Sequence, residues 1–125
     1  MALETSKGLG AMTGTRYIES LKDGREVWLD GEKVRDVTSH PAFSGMVNEL
    51  ARIYDLQNSN EYRDQMTFVS PDTGTRTSIS WLLPRSMEEL KAKRRNSEVW
   101  NQQCWVQLGR GPDILAPSII ALYHA

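Results

Sequence analysis

The chain has a single cysteine, Cys104, so it can form no internal disulfide, which fits a reducing compartment. Histidine is nearly as scarce. His40 and His124 are the only two, and neither stands at metal-ligand spacing from the other or from Cys104, so no zinc site is expected. No apolar run approaches the roughly 20 residues of a membrane span, and no apolar signal-peptide core follows Met1. Charge of one sign is also missing: 15 Lys and Arg against 16 acids leave a net charge of -1. That balance calls for neither nucleic acid nor an anionic membrane surface. There is no Walker loop, dinucleotide fingerprint, nucleophile elbow, paired-cysteine motif, internal repeat or low-complexity tract. What remains, in 125 residues, is one domain's worth of polypeptide, near the low end for an independent enzyme and expected to be cytoplasmic.

The most informative stretch runs from Ser86 to Asp113. Ser86-Met87-Glu88-Glu89 has the capping-box form and sets a helix start, with Glu88 and Glu89 in the first turn where the helix dipole favours acids. Met87, Leu90, Trp100, Cys104 and Leu108 recur at helical spacing and predict a buried face. Gly109 is the expected terminator, and Pro112 suits the first position of a following helix. Arg110 therefore sits in a tight link between two helices. A guanidinium there is placed to meet an anion or a developing oxyanion, because its donors form a fixed fork. The plainer reading stands beside that one: an arginine at a helix end caps carbonyls or pairs with a nearby acid.

The remainder reads as a mainly helical domain with short β-hairpins. Met1 to Met12 lack periodicity and form an expected flexible lead-in. Thr13 caps a short helix reaching Lys22 or Asp23, with Gly24 as its stop. Asp30-Gly31 supplies a tight hairpin turn between Glu26–Asp30 and Glu32–Arg35, with Val27, Leu29 and Val34 facing one way and Trp28 the other. Cap candidates Thr38, Ser39, His40 and Pro41 open a second helix whose stripe is Phe43, Met46, Val47, Leu50, Ile53 and Tyr54. A second hairpin pairs Gln65–Val69 with Thr75–Trp81, and Pro84 ends it. After Asp113 an apolar helix runs to Tyr123 with a kink at Pro117. It stops at His124-Ala125 without a cap, so the chain reads as a piece of a longer protein whose remainder would cover that helix.

Other candidates have simple structural explanations. His40 before Pro41 is a helix-start residue rather than a base, and Cys104 beside Trp105 a small buried hydrophobe rather than a nucleophile. Lys91, Lys93, Arg94 and Arg95 are interleaved with acids and read as a solvated face. Trp81, Trp100 and Trp105 could line a flat aromatic cavity, but default to core.

Several separated segments resemble one family. They are Met12-Thr-Gly-Thr-Arg-Tyr-Ile-Glu-Ser-Leu-Lys-Asp-Gly-Arg-Glu-Val27, Gly31-Glu-Lys-Val34, Asp36-Val-Thr-Ser-His-Pro-Ala-Phe43, Tyr54-Asp-Leu56 and Gly109-Arg-Gly-Pro-Asp113. From about Met12 onward the chain resembles the N-terminal region of the 4-hydroxyphenylacetate 3-hydroxylase family, the oxygenase components of two-component monooxygenases. The resemblance implies an acyl-CoA dehydrogenase-like fold, of which residues 13–125 are the N-terminal helical domain. A middle β domain, a C-terminal bundle and a homotetramer complete the implied assembly.

It further implies reduced FAD supplied by a separate flavin reductase, O2 as oxidant, and hydroxylation of a phenol next to its hydroxyl. Arg110 matches the family arginine near the flavin and the phenolic substrate. The family often has Tyr directly after Pro-Asp, lining the substrate site, where this chain has Ile114, which cannot donate a hydrogen bond. A less polar or larger phenol than 4-hydroxyphenylacetate is thus an open expectation. A relative of the same fold, 4-hydroxybutyryl-CoA dehydratase, holds an iron-sulfur cluster with two cysteines four residues apart on this helix. Here Cys104 is followed at that spacing by Leu108, which removes a needed thiolate. The non-enzymatic alternative is a helical interaction module that docks through its apolar C-terminal helix.

Overall fold

The computed structural model describes residues 10–104 and 112–125, with side chains from 115 onward in the second stretch. The elements in order are α1 (Gly14–Ser20), β1 (Val27–Leu29), β2 (Glu32–Val34), α2 (Pro41–Leu56), α3 (Arg63–Met66), β3 (Thr67–Val69), β4 (Arg76–Ser78), a 3-10 turn (Ile79–Trp81), α4 (Met87–Gln103) and α5 (Pro112–Tyr123). The expected architecture of helices with two small hairpins is the one observed.

Local chemistry explains most boundaries. Thr13 caps α1 by accepting from the Arg16 amide, and α1 closes at Ser20, ahead of Lys22. Its end tightens through bonds from Leu21 to Ile18 and Lys22 to Glu19, a short-range pattern that exhausts the helix before Gly24 is reached. Asp30 and Gly31 both take positive φ, 50° and 83°, and the strands pair Val27 with Val34 and Leu29 with Glu32. Trp28 stands outward and Val34 is buried, as the alternation requires. His40 is the N-cap of α2: its Nδ1 accepts from the Ala42 amide at 3.2 Å, with Pro41 at the first helical position.

The core joins α2, α3 and α4. Ile53, Met66, Val99, Trp100 and Cys104 form its buried cluster, with Tyr54, Leu56 and Tyr62 packed against it. Tyr54 links three helices, its ring 5.1 Å from Tyr17 on α1 and 6.1 Å, edge-on, from Trp100 on α4. The α1–α2 approach is so close that a Cβ on Gly14 would lie 2.5 Å from the Ala51 carbonyl oxygen. The Gly14 amide instead donates to Asp55 Oδ1 at 2.8 Å. Gly10 to Met12 are tied to this corner, with Ala11 buried and the Met12 carbonyl accepting from Gln57 and Asn58.

Four sequence expectations are corrected. Met46, Met87 and Leu90 are exposed, because the first turns of α4 run past the end of the core and the α2 stripe is completed by Ala51 instead. Gln65 and Met66 belong to α3, which carries Met66 into the core, so the second hairpin pairs only Thr67–Val69 with Arg76–Ser78. Ser78 then accepts from the Ser80 amide and turns Ile79–Trp81 into a 3-10 helix rather than a strand. Finally α4 closes at Gln103, where Cys104 leaves helical geometry at φ -113° and ψ 12°, and the expected terminator Gly109 lies outside the described residues.

Candidate functional site: the link between α4 and α5

The two helices predicted on either side of Arg110 are present. The expected box at the start of α4 is observed in a shifted form: Ser86 Oγ accepts from the Glu89 amide at 3.2 Å, while Glu89 reaches back to the Arg85 amide rather than to that of Ser86. Arg110, Trp105, Leu108 and the side chain of Ile114 lie outside the described residues, so the site is built from what flanks it.

On the approach side, the last turn of α4 is held on two faces. Inward, Trp100 is buried and the Cys104 thiol donates to the Trp100 carbonyl at 2.9 Å, the behaviour of a small core residue and not of a nucleophile. Outward, Arg52 Nη2 donates to the Gln103 carbonyl at 3.0 Å and Nη1 to Gln103 Oε1 at 3.1 Å. Glu49 holds the same guanidinium through Nε at 3.0 Å and Nη2 at 2.6 Å, and keeps its own carboxyl below the usual carboxylate range by that hydrogen bonding.

On the departure side, α5 rests on the 3-10 turn and on α4. Ala116 is its buried contact, and a small cleft of about 190 Å³ beside Pro117 is lined by Ser80, Lys93, Asn96 and Ser97. Lys93 departs from the solvated face expected of it. Its ammonium donates to the Ser80 carbonyl at 3.0 Å and the Leu82 carbonyl at 2.6 Å, and burial lowers its pKa. Arg94 does behave as surface, pairing with Glu98 one turn on. Asn96 is buried and donates to Ser80 Oγ at 3.0 Å. Leu115, Ile119, Leu122 and Tyr123 of α5 are exposed to solvent.

The sequence reading missed Arg52, Gln57 and Asn96. The Glu49–Arg52 pair is visible as an i, i+3 spacing, but its partner Gln103 is not. Gln57 and Asn96 share the helix faces of Tyr54 and Trp100 at spacings of three and four, a faint signal that these amides are interior. Among the described residues no three His, Cys, Asp or Glu side chains could hold a metal, and no helix is long and apolar enough to cross a membrane.

This arrangement of helices has close counterparts. The crystal structure of the oxygenase component (HpaB) of 4-hydroxyphenylacetate 3-monooxygenase, complexed with FAD and 4-hydroxyphenylacetate, superposes with a TM-score of 0.77 at 40% identity. The match covers 82% of this chain and 21% of that one. An oxygen-tolerant archaeal 4-hydroxybutyryl-CoA dehydratase from N. maritimus follows at a TM-score of 0.60 and 29% identity, covering 74% and 18%. The fold is thus that of the N-terminal helical region of an acyl-CoA dehydrogenase-like protein. Within that class, the family description "4-hydroxyphenylacetate 3-hydroxylase N terminal" matches residues 13–125, and the chain belongs to this family.

The 4-hydroxyphenylacetate 3-monooxygenase oxygenase component of Thermus thermophilus is 39% identical over 112 residues, 89% of this chain and 23% of that protein. The oxygenase component of a 4-nitrophenol 4-monooxygenase/4-nitrocatechol 2-monooxygenase from Rhodococcus opacus is 46% identical over 88 residues, 70% and 16%. The chain therefore spans about a fifth of the length of these relatives.

Proposed function

We propose that residues 13–125 are the N-terminal helical domain of the oxygenase component of a two-component, FADH2-dependent monooxygenase that hydroxylates phenols ortho to the hydroxyl with O2. The β domain and C-terminal bundle lie on further polypeptide in this reading, the assembly is a cytoplasmic homotetramer, and a flavin reductase is its partner. The observation that carries it is the family match across residues 13–125, with 40% identity to an oxygenase whose structure holds FAD and a phenol.

Bound reduced FAD supplies the oxygen-activating chemistry. The chain's own part is Arg110 as the catalytic cation. A guanidinium donating to the phenolic oxygen favours its ionised form and so raises electron density at the ortho carbon. The same fork would also orient the ring. Ile114 contributes apolar contact and no donor to the substrate wall, which directs the site toward 4-hydroxyphenylacetate relatives that are larger or less polar at that edge. The test is hydroxylation of a panel of phenols by the full-length oxygenase with reduced FAD. Arg110→Ala is expected to lose on the order of 10²-fold in kcat, the scale of one preorganised donor. An unchanged rate removes Arg110 from the mechanism.

The exposed apolar face of α5 favours one other reading, a non-catalytic helical module that docks on a partner protein through Leu115, Ile119, Leu122 and Tyr123. Light scattering of the chain alone bears on it, because a monodisperse monomer at high concentration speaks against a docking face.

A further inference from the structure

We infer that α5 undocks as a unit while the core stays closed, and that Lys93 is the latch that holds it down through the 3-10 turn at Ile79–Trp81. This goes beyond the functional reading above and holds whatever reaction the whole protein performs.

Three helices meet on that turn, α3, α4 and α5. The buried core cluster of Ile53, Met66, Val99, Trp100 and Cys104 draws on α2, α3 and α4, and no described residue of α5 belongs to it. Among its described side chains α5 buries Ala116 alone, with Pro117 and Ile120 half-buried. Pro117 also lacks the amide that an inner helical position donates, and 12 residues make a marginal helix in water without a surface to lie on. α5 therefore depends on a small footprint outside the core, the condition under which a segment opens on its own.

The floor of that footprint is held by polar donors from α4. Lys93 Nζ donates to the Ser80 carbonyl at 3.0 Å and the Leu82 carbonyl at 2.6 Å, spanning the turn from its middle to its exit. Carbonyls at the end of so short a helical turn have few amide partners, so an ammonium with three donors supplies what the turn lacks. Asn96, three residues along α4, adds a bond to Ser80 Oγ at 3.0 Å. Ile79 is buried and anchors the start of the turn, and its carbonyl accepts from the Leu82 amide at 2.9 Å. Without Lys93 the turn keeps that anchor but loses the hold on its exit. Lys93 and Pro117 line the same cleft, so the latch stands beside the contact it supports.

Native-state hydrogen exchange on the 125-residue chain tests both halves. Amides at 118–121 are expected to exchange roughly tenfold faster than those at 51–54 and 97–100, with little dependence on added urea, the mark of opening without global unfolding. Lys93→Met keeps the aliphatic stem and removes the ammonium. It should speed exchange at 118–121 and at the Leu82 amide about tenfold, the scale of one hydrogen bond to a charged group, and leave 51–54 and 97–100 within about twofold. Leu90→Ala trims the same cleft at an exposed position without touching the latch, and should move 118–121 by less than about twofold. Should Lys93→Met fail to fold, Lys93→Gln takes its place with the same expectation. Exchange at 118–121 that tracks the core amides at every urea concentration overturns the separate opening of α5. Unchanged exchange there in the Lys93 variant, or an equal acceleration in Leu90→Ala, overturns the latch.

Discussion

The seam between α2 and α4 and the outer face of α5 use apolar residues in opposite ways. Along the seam, Ile53, Met66 and Trp100 are almost wholly enclosed. Gln57 Nε2 reaches the Met12 carbonyl and Arg52 reaches Gln103, while Gln57 Oε1, Asn96 Oδ1 and Trp100 Nε1 are buried without a hydrogen-bond partner among the described residues. On α5, Ala116 is buried while Leu122 is 80% exposed and Tyr123 83%. The residues differ little in hydrophobicity, so what separates the regions is whether a second surface meets them. The seam encloses its apolar residues; α5 leaves four large ones of its own exposed.

That contrast can be broken at several points, the largest first. Trp100→Ala should destabilise the chain by about 4 kcal/mol, since it removes the largest enclosed side chain and leaves a cavity between Tyr54 and Val99. Thermal or urea unfolding measures it, and a cost below about 1 kcal/mol would mean the seam is not the core. Gly14→Ala should follow at about 2 kcal/mol, because the added methyl would lie 2.5 Å from the Ala51 carbonyl oxygen, backbone that cannot swing aside as the Asp55 side chain can. Here the loss of the Tyr17–Tyr54 contact should be visible as well, in near-ultraviolet dichroism. Leu122→Ser sits at the other extreme. In the isolated chain it should move stability by no more than about 0.5 kcal/mol, as expected for a solvated position. A large loss there would show that the face is covered and erase the distinction between the regions.

Much of the fold was legible in local chemistry. Asp30-Gly31, Ser86 with Glu89, His40-Pro41 and Thr13 each act within about four residues, and each sits where its turn or cap was expected. The family was legible too, because its segments are short, ordered and specific. The errors share one cause. Met87 and Leu90 have the right spacing for a buried face, yet the spacing cannot say how far along α4 the core extends. Lys93 reads as surface beside Arg94 until the 3-10 turn brings two carbonyls to its ammonium. The candidate site was read as a motif, Gly109 to Asp113, whose side chains lie outside the described residues.

Taken alone, the order of residues determined where helices begin, which turns take positive φ and which family the chain joins, because those depend on neighbours in sequence and on side-chain types at set spacing. Only the tertiary structure decided which polar side chains are interior, where α4 stops and which apolar face stays open. The polar contacts involved join groups 11 to 51 positions apart, and no local rule counts contacts of that range.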